Sequence, residues 1–134
     1  MVRIGWFQVV VGAGILLLWP ALIVAGEVPE LEAGQRDIWF HIAAEVVTGV
    51  LLLVGGVLLL RRGDAGARML STFALGALLY TGINSAGYYA ELGEWLPAGL
   101  LVAVSLAAAS AFIVLWHTPT PTVERVAVRP RPPA

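Results

Sequence analysis

The sequence predicts an all-α integral membrane protein, a four-transmembrane-helix bundle running up-down-up-down with both termini cytoplasmic. Three observations predict it. The apolar residues gather into four long blocks, the arginines fall on one side of those blocks, and tryptophans and tyrosines collect at the block ends. Of the 134 residues, 59% are hydrophobic and 13% are charged, whereas a soluble globular domain carries roughly 25% charged residues. Mean hydropathy is +0.86. Each block approaches or exceeds the roughly 20 residues that a helix needs to cross a hydrocarbon core.

The first block, Trp6–Ala25, follows Arg3 and carries Trp19 and Pro20 near its far end. A proline there removes one backbone donor and can kink the helix. Arg3, the apolar run and the segment Ile23-Val24-Ala25-Gly26 before an acidic stretch also have the layout of a cleaved secretory signal. A signal core spans about 7 to 15 residues, and this block is longer and contains tryptophans, so an uncleaved anchor is expected. The second block is Ile38–Leu60, closed by Gly63 as a helix stop; the third is Met69–Ala90. The fourth, Pro97–Trp116, opens on a proline suited to a first helical turn, where its missing N–H is not needed. Residues 117–134 are rich in proline and arginine and are expected to form a flexible cytoplasmic tail beyond the domain of residues 1–116.

Charge placement sets the expected orientation. The first connection carries Glu27, Glu30, Glu32 and Asp37 against Arg36; the third carries Glu91 and Glu94 with no base. The second connection carries Arg61, Arg62 and Arg68 against Asp64, and the tail carries Arg125, Arg129 and Arg131 against Glu124. Short basic segments stay in the cytoplasm, so the termini and the second connection are expected inside a plasma membrane that the chain crosses several times. Trp6 and Trp116 then mark the inner interface, and Trp39, Tyr88, Tyr89 and Trp95 the outer one. The formal net charge of −1 gives no electrostatic support for a nucleic-acid partner.

Polar residues inside spans turn toward the bundle, because hydrocarbon exposes them at high cost. On the second block His41, Glu45, Thr48 and Leu52 share one helical face, continued by Gly55. On the third, Phe73, Ala77, Tyr80, Asn84 and Tyr88 do the same. At 1.5 Å per residue, Glu45 and Asn84 each lie roughly 10 Å below the outer end, level with Trp19. The outer half is therefore expected to hold a polar cluster of His41, Glu45, Tyr80, Asn84 and Tyr88. The inner half is expected to be aliphatic and small, with Ser71 and Thr72 bonded to their own helix.

Glu45 is the one acid well inside a block, and an ionised group at mid-bilayer costs about 2.5 to 3.5 kcal/mol on insertion scales. Two readings of the cluster follow. It is either an interhelical hydrogen-bond clasp, or a pocket open to the outside that binds a small ligand or passes a proton. A histidine and a glutamate one turn apart can share a metal, but a closed site needs about four ligands. No cofactor is expected, although a single-histidine haem or a metal at His41 and Glu45 stays open. His117 lies at the opposite face and does not complete a pair. With no cysteine, no nucleophile beside a base and no phosphate loop, an enzyme is not the expected reading.

In the fourth block Gly99, Ala103, Ala107 and Ala111 recur every fourth residue, a stripe on which membrane helices approach closely. Gly12, Gly49, Gly55, Gly76 and Gly87 allow the same elsewhere. The expected function is an accessory or assembly subunit that uses this stripe to dock on a larger membrane complex or on a second copy. The alternative is ligand binding or proton-coupled transport with Glu45 in an outward-facing pocket.

Overall fold

The computed structural model is all-helical and describes residues 1–28, 31 and 33–119. Four helices form in order: α1 (Val2–Ala25), α2 (Asp37–Arg61), α3 (Ala65–Glu91) and α4 (Trp95–His117). They coincide with the four blocks, and the largest differences, at the starts of α1 and α3, amount to one helical turn. Glu30, Glu32 and the tail from residue 120 lie outside the described residues.

Three of the helices, α1, α2 and α4, are long and apolar enough to cross a membrane. The longest, α3, has 27 residues and is less apolar, because it carries Arg68, Ser71, Thr72, Thr81, Asn84 and Ser85. Local chemistry explains the ends. The left-handed Gly26 (φ 71°) closes α1, and the Glu27 N–H turns back to the Leu22 carbonyl. Gly63 (φ 60°) follows α2 as expected from the sequence. Asp64 caps α3 by accepting from the Ala67 N–H at 2.8 Å. The helix α1 runs through Pro20 without ending, and Pro97 falls in the first turn of α4.

Packing follows chain order, α1 on α2, α2 on α3 and α3 on α4, with a lighter contact of α1 on α3. The α1–α2 seam is a glycine ladder. A β-carbon on Gly12 would lie 2.7 Å from the Gly49 carbonyl oxygen, and one on Gly56 would lie 2.7 Å from that of Gly5. Gly5 and Gly12 on one helix thus face Gly56 and Gly49 on the other, antiparallel and two turns apart. Leu52, Leu59, Ala74, Leu75, Leu78, Ala108, Ala111 and Leu115 form the main core. Trp19, Val28 and Ile42 form a second cluster at the end away from the termini, where the first connection folds back.

The expected inward face of α3 needs correction. The buried side of α3 is Ser71, Ala74, Leu75, Leu78, Thr81, Gly82, Ser85 and Ala86, not the stripe of Phe73, Tyr80, Asn84 and Tyr88, which is exposed. Close helix seams admit small side chains, so the rings move to the flank. On α4 the seam is Ala98, Ser105, Ala108, Ala111 and Leu115; Gly99, Ala103 and Ala107 face outward.

The half of the bundle nearer the termini is also not uniformly aliphatic. Gln8 of α1 is fully buried, donates from Nε2 to the Ser71 carbonyl at 2.9 Å, and accepts from Ser71 Oγ at 3.0 Å. Ser71 Oγ also lies 3.0 Å from the Gly55 carbonyl of α2. Thr72 bonds its own helix as expected, whereas Ser71 ties three helices together. Arg68, counted among the basic loop residues, turns its guanidinium onto the end of α4. It donates to the Leu115 carbonyl in the last turn of α4 at 3.0 Å, and to the carbonyls of Pro119 at 2.8 Å and of Thr118 just beyond it.

Candidate ligand-binding site

The site forms where α1, α2 and α3 meet at the end away from the termini. His41 and Glu45 lie one turn apart on α2, with His41 Nε2 3.3 Å from Glu45 Oε1. Trp19 of α1 is buried, and its indole Nε1–H donates to Glu45 Oε2 at 2.8 Å. Ser85 of α3 donates from Oγ to Glu45 Oε1 at 2.6 Å. An ionised carboxylate only accepts, and both of its oxygens here take donors from neighbouring helices. The Ser85 contact is a short hydroxyl–oxygen hydrogen bond. One side chain therefore fixes three helices at one level.

The Glu45 side chain is nevertheless 14% exposed, because it borders a cavity of about 770 Å³. That volume is typical of small-molecule sites, which run roughly 300 to 1,000 Å³. All five residues expected from the sequence line it: His41 and Glu45 from α2, and Tyr80, Asn84 and Tyr88 from α3. His41 and Glu45 pair along α2, and His41 meets Tyr88 ring to ring. Glu45 takes Ser85 and Trp19 instead of Asn84 or Tyr80, while Tyr80, Asn84 and Tyr88 stand as an exposed wall.

Rings continue that wall. The edge of Trp19 meets His41 at 5.9 Å between centroids, His41 lies 6.3 Å from Tyr88, and Tyr88 meets Tyr89 edge-on at 5.5 Å. Glu27 from the first connection and Glu94 from the third stand at the rim.

Ser85 is not among the residues expected from the sequence, yet it has a signal there: at heptad and one-turn spacing it shares one side of α3 with the small polar residues Ser71 and Thr81. For a metal, His41 and Glu45 supply two ligands, and among the described residues no third His, Cys, Asp or Glu joins them. A second cavity, about 970 Å³, lies between α3 and α4 toward the other end. It is lined by Met69, Phe73, Phe112 and Trp116, and by Arg68, whose donors are directed at α4 carbonyls. Among the described residues it holds no carboxylate.

Fold and site together define an all-helical protein with three helices able to span a membrane and a carboxylate held between helices beside an aromatic cavity. The chain belongs to the family described as a domain of unknown function, DUF8058, which matches residues 2–125. No curated protein and no solved structure matches it.

Proposed function

We propose that this chain is a multi-pass protein of the cell membrane that binds a small polar ligand in a pocket beneath the outer surface. All four helices cross in alternating directions, with the termini and the α2–α3 connection in the cytoplasm. Support for the fourth crossing comes from the length of α3 and its place between α2 and α4. Its polar side chains are compatible with a bilayer because Ser71, Thr72, Thr81 and Ser85 are hydrogen-bonded, Arg68 is directed at α4, and Asn84 borders the cavity. Orientation is supported by the arginines of the second connection.

The observation that carries the binding reading is the convergence of His41, Glu45, Tyr80, Asn84 and Tyr88 on one cavity. An acid within a membrane span is costly and is retained where it serves a site. Thermal unfolding of the purified protein against a panel of small cations, anions and neutral polar compounds tests this. At least one compound should raise the midpoint for the parent and not for Glu45→Gln. A panel without effect in any charge class, or with equal effect on Glu45→Gln, refutes it.

The accessory reading keeps one specific support, the outward-facing Gly99, Ala103 and Ala107 on the last helix. It expects a larger complex to co-purify with the parent and to be lost in Ala103→Leu.

A further inference from the structure

We infer that the ligand is an organic ammonium compound, a small amine or quaternary ammonium carrying an apolar body, with its positive head against Glu45 and the surrounding rings. This rests on the pocket reading above and names its ligand class. Charge is the first argument. Among the described residues the lining holds Glu45 inside, Glu27 and Glu94 at the rim, no lysine or arginine, and His41 as its one titratable base, already paired with Glu45. An anion would find no fixed counter-charge there, whereas a cation entering from the rim would pass acids along its path.

The second argument is the wall material. Trp19, Phe40, Tyr80, Tyr88 and Tyr89 all border the space. An ammonium within about 6 Å of such ring faces gains roughly 0.5 to 2 kcal/mol per favourable contact. Rings combined with one carboxylate suit a diffuse organic cation. A hard metal ion instead requires about six close oxygen ligands, and the described lining has three separated carboxylates for the task.

Size is the third argument. About 770 Å³ exceeds what a bare ammonium ion fills, and Leu22, Val28, Ile38 and Leu92 supply an apolar flank for a carbon body. Asn84 and Tyr80 add polar groups at the wall for a hydroxyl or amide of the ligand. Such an ammonium can be a free solute or the head of a membrane lipid, and the chemistry recognised is the same.

The test measures equilibrium binding of choline and tetramethylammonium to the intact protein in nanodiscs of phosphatidylglycerol. The comparison ligands are the neutral carbon isostere of choline, in which carbon replaces the ammonium nitrogen, and the matching carboxylate. The cations should bind at least roughly tenfold more tightly than the neutral isostere, a difference of about 1.4 kcal/mol, and the carboxylate should not bind. Glu45→Gln should lose at least that factor. Asn84→Lys, an exposed position that does not depend on the Glu45 clasp, should abolish cation binding in a folded protein.

Doping the nanodiscs with phosphatidylethanolamine separates the sources. Competition with choline assigns the lipid head, and unchanged choline binding assigns the free solute. Equal or tighter binding of the neutral or anionic compound overturns the ammonium class while leaving the pocket in place. Absence of binding by every compound overturns both.

Discussion

Removal of the Glu45 carboxylate should loosen the bundle by an amount set by two interhelical bonds. In Glu45→Ala the indole N–H of Trp19 and the hydroxyl of Ser85 lose their acceptor, while the contact from His41, on the same helix, adds little to helix association. Hydrogen bonds between membrane helices average about 0.6 kcal/mol and reach about 2, so the loss should fall between roughly 1 and 4 kcal/mol. Glu45→Gln should cost less than Glu45→Ala. Its carbonyl can take the Trp19 N–H, which only donates, and its amide can face Ser85 Oγ, which can rotate to accept. Unfolding in mixed micelles of increasing dodecyl sulfate content, followed by circular dichroism, measures both. A double-mutant cycle with Ser85→Ala isolates the pair, with an expected coupling of about 0.6 to 2 kcal/mol. Strict additivity of Glu45→Ala and Ser85→Ala would refute the clasp.

Substitutions at three other sites of close or polar packing, Gly12, Gly82 and Gln8, are read by the same unfolding assay. Gly12→Ala places a β-carbon 2.7 Å from the Gly49 oxygen and 2.8 Å from the Leu53 nitrogen, both backbone, so a loss of about 1 to 3 kcal/mol is expected; Gly14→Ala, with nothing within 4 Å, should be neutral or stabilising. Gly82→Ala meets the Ser105 hydroxyl and should destabilise, whereas adding Ser105→Ala should rescue it, because Ser105 Oγ is buried with no hydrogen-bond partner among the described residues. Gln8→Leu should cost about 0.6 to 2 kcal/mol by deleting the link to Ser71, and no loss would mean that the polar layer near the termini is not holding α1.

The helices were legible in the sequence because length and hydropathy write them over many residues, and Gly63 and Pro97 mark ends by backbone chemistry. The shared face of His41, Glu45, Thr48 and Leu52 was legible for the same reason, since one helix fixes its own periodicity. What could not be read was which side of α3 and α4 meets a neighbour. Both helices carry small and polar residues on adjacent sides, and a shift of one residue turns a face by about 100°. Asn84 and Ser85 are one such pair: the first lines the cavity and the second bonds Glu45. Gln8 escaped notice because it lies near the start of its block, where a polar residue reads as interfacial. Only the approach of Ser71 and Gly55 encloses it.

The most direct test of the central claim, a cation-selective pocket reached from outside the cell, exploits the absence of native cysteine. Asn84→Cys places one thiol on the cavity wall. In intact cells, impermeant cationic and anionic methanethiosulfonates should differ in rate, the cationic reagent faster by roughly tenfold after correction for free-thiol reactivity. Adding Glu45→Gln should narrow that ratio. Modification only after permeabilisation, or an equal or faster rate for the anionic reagent, would contradict the account.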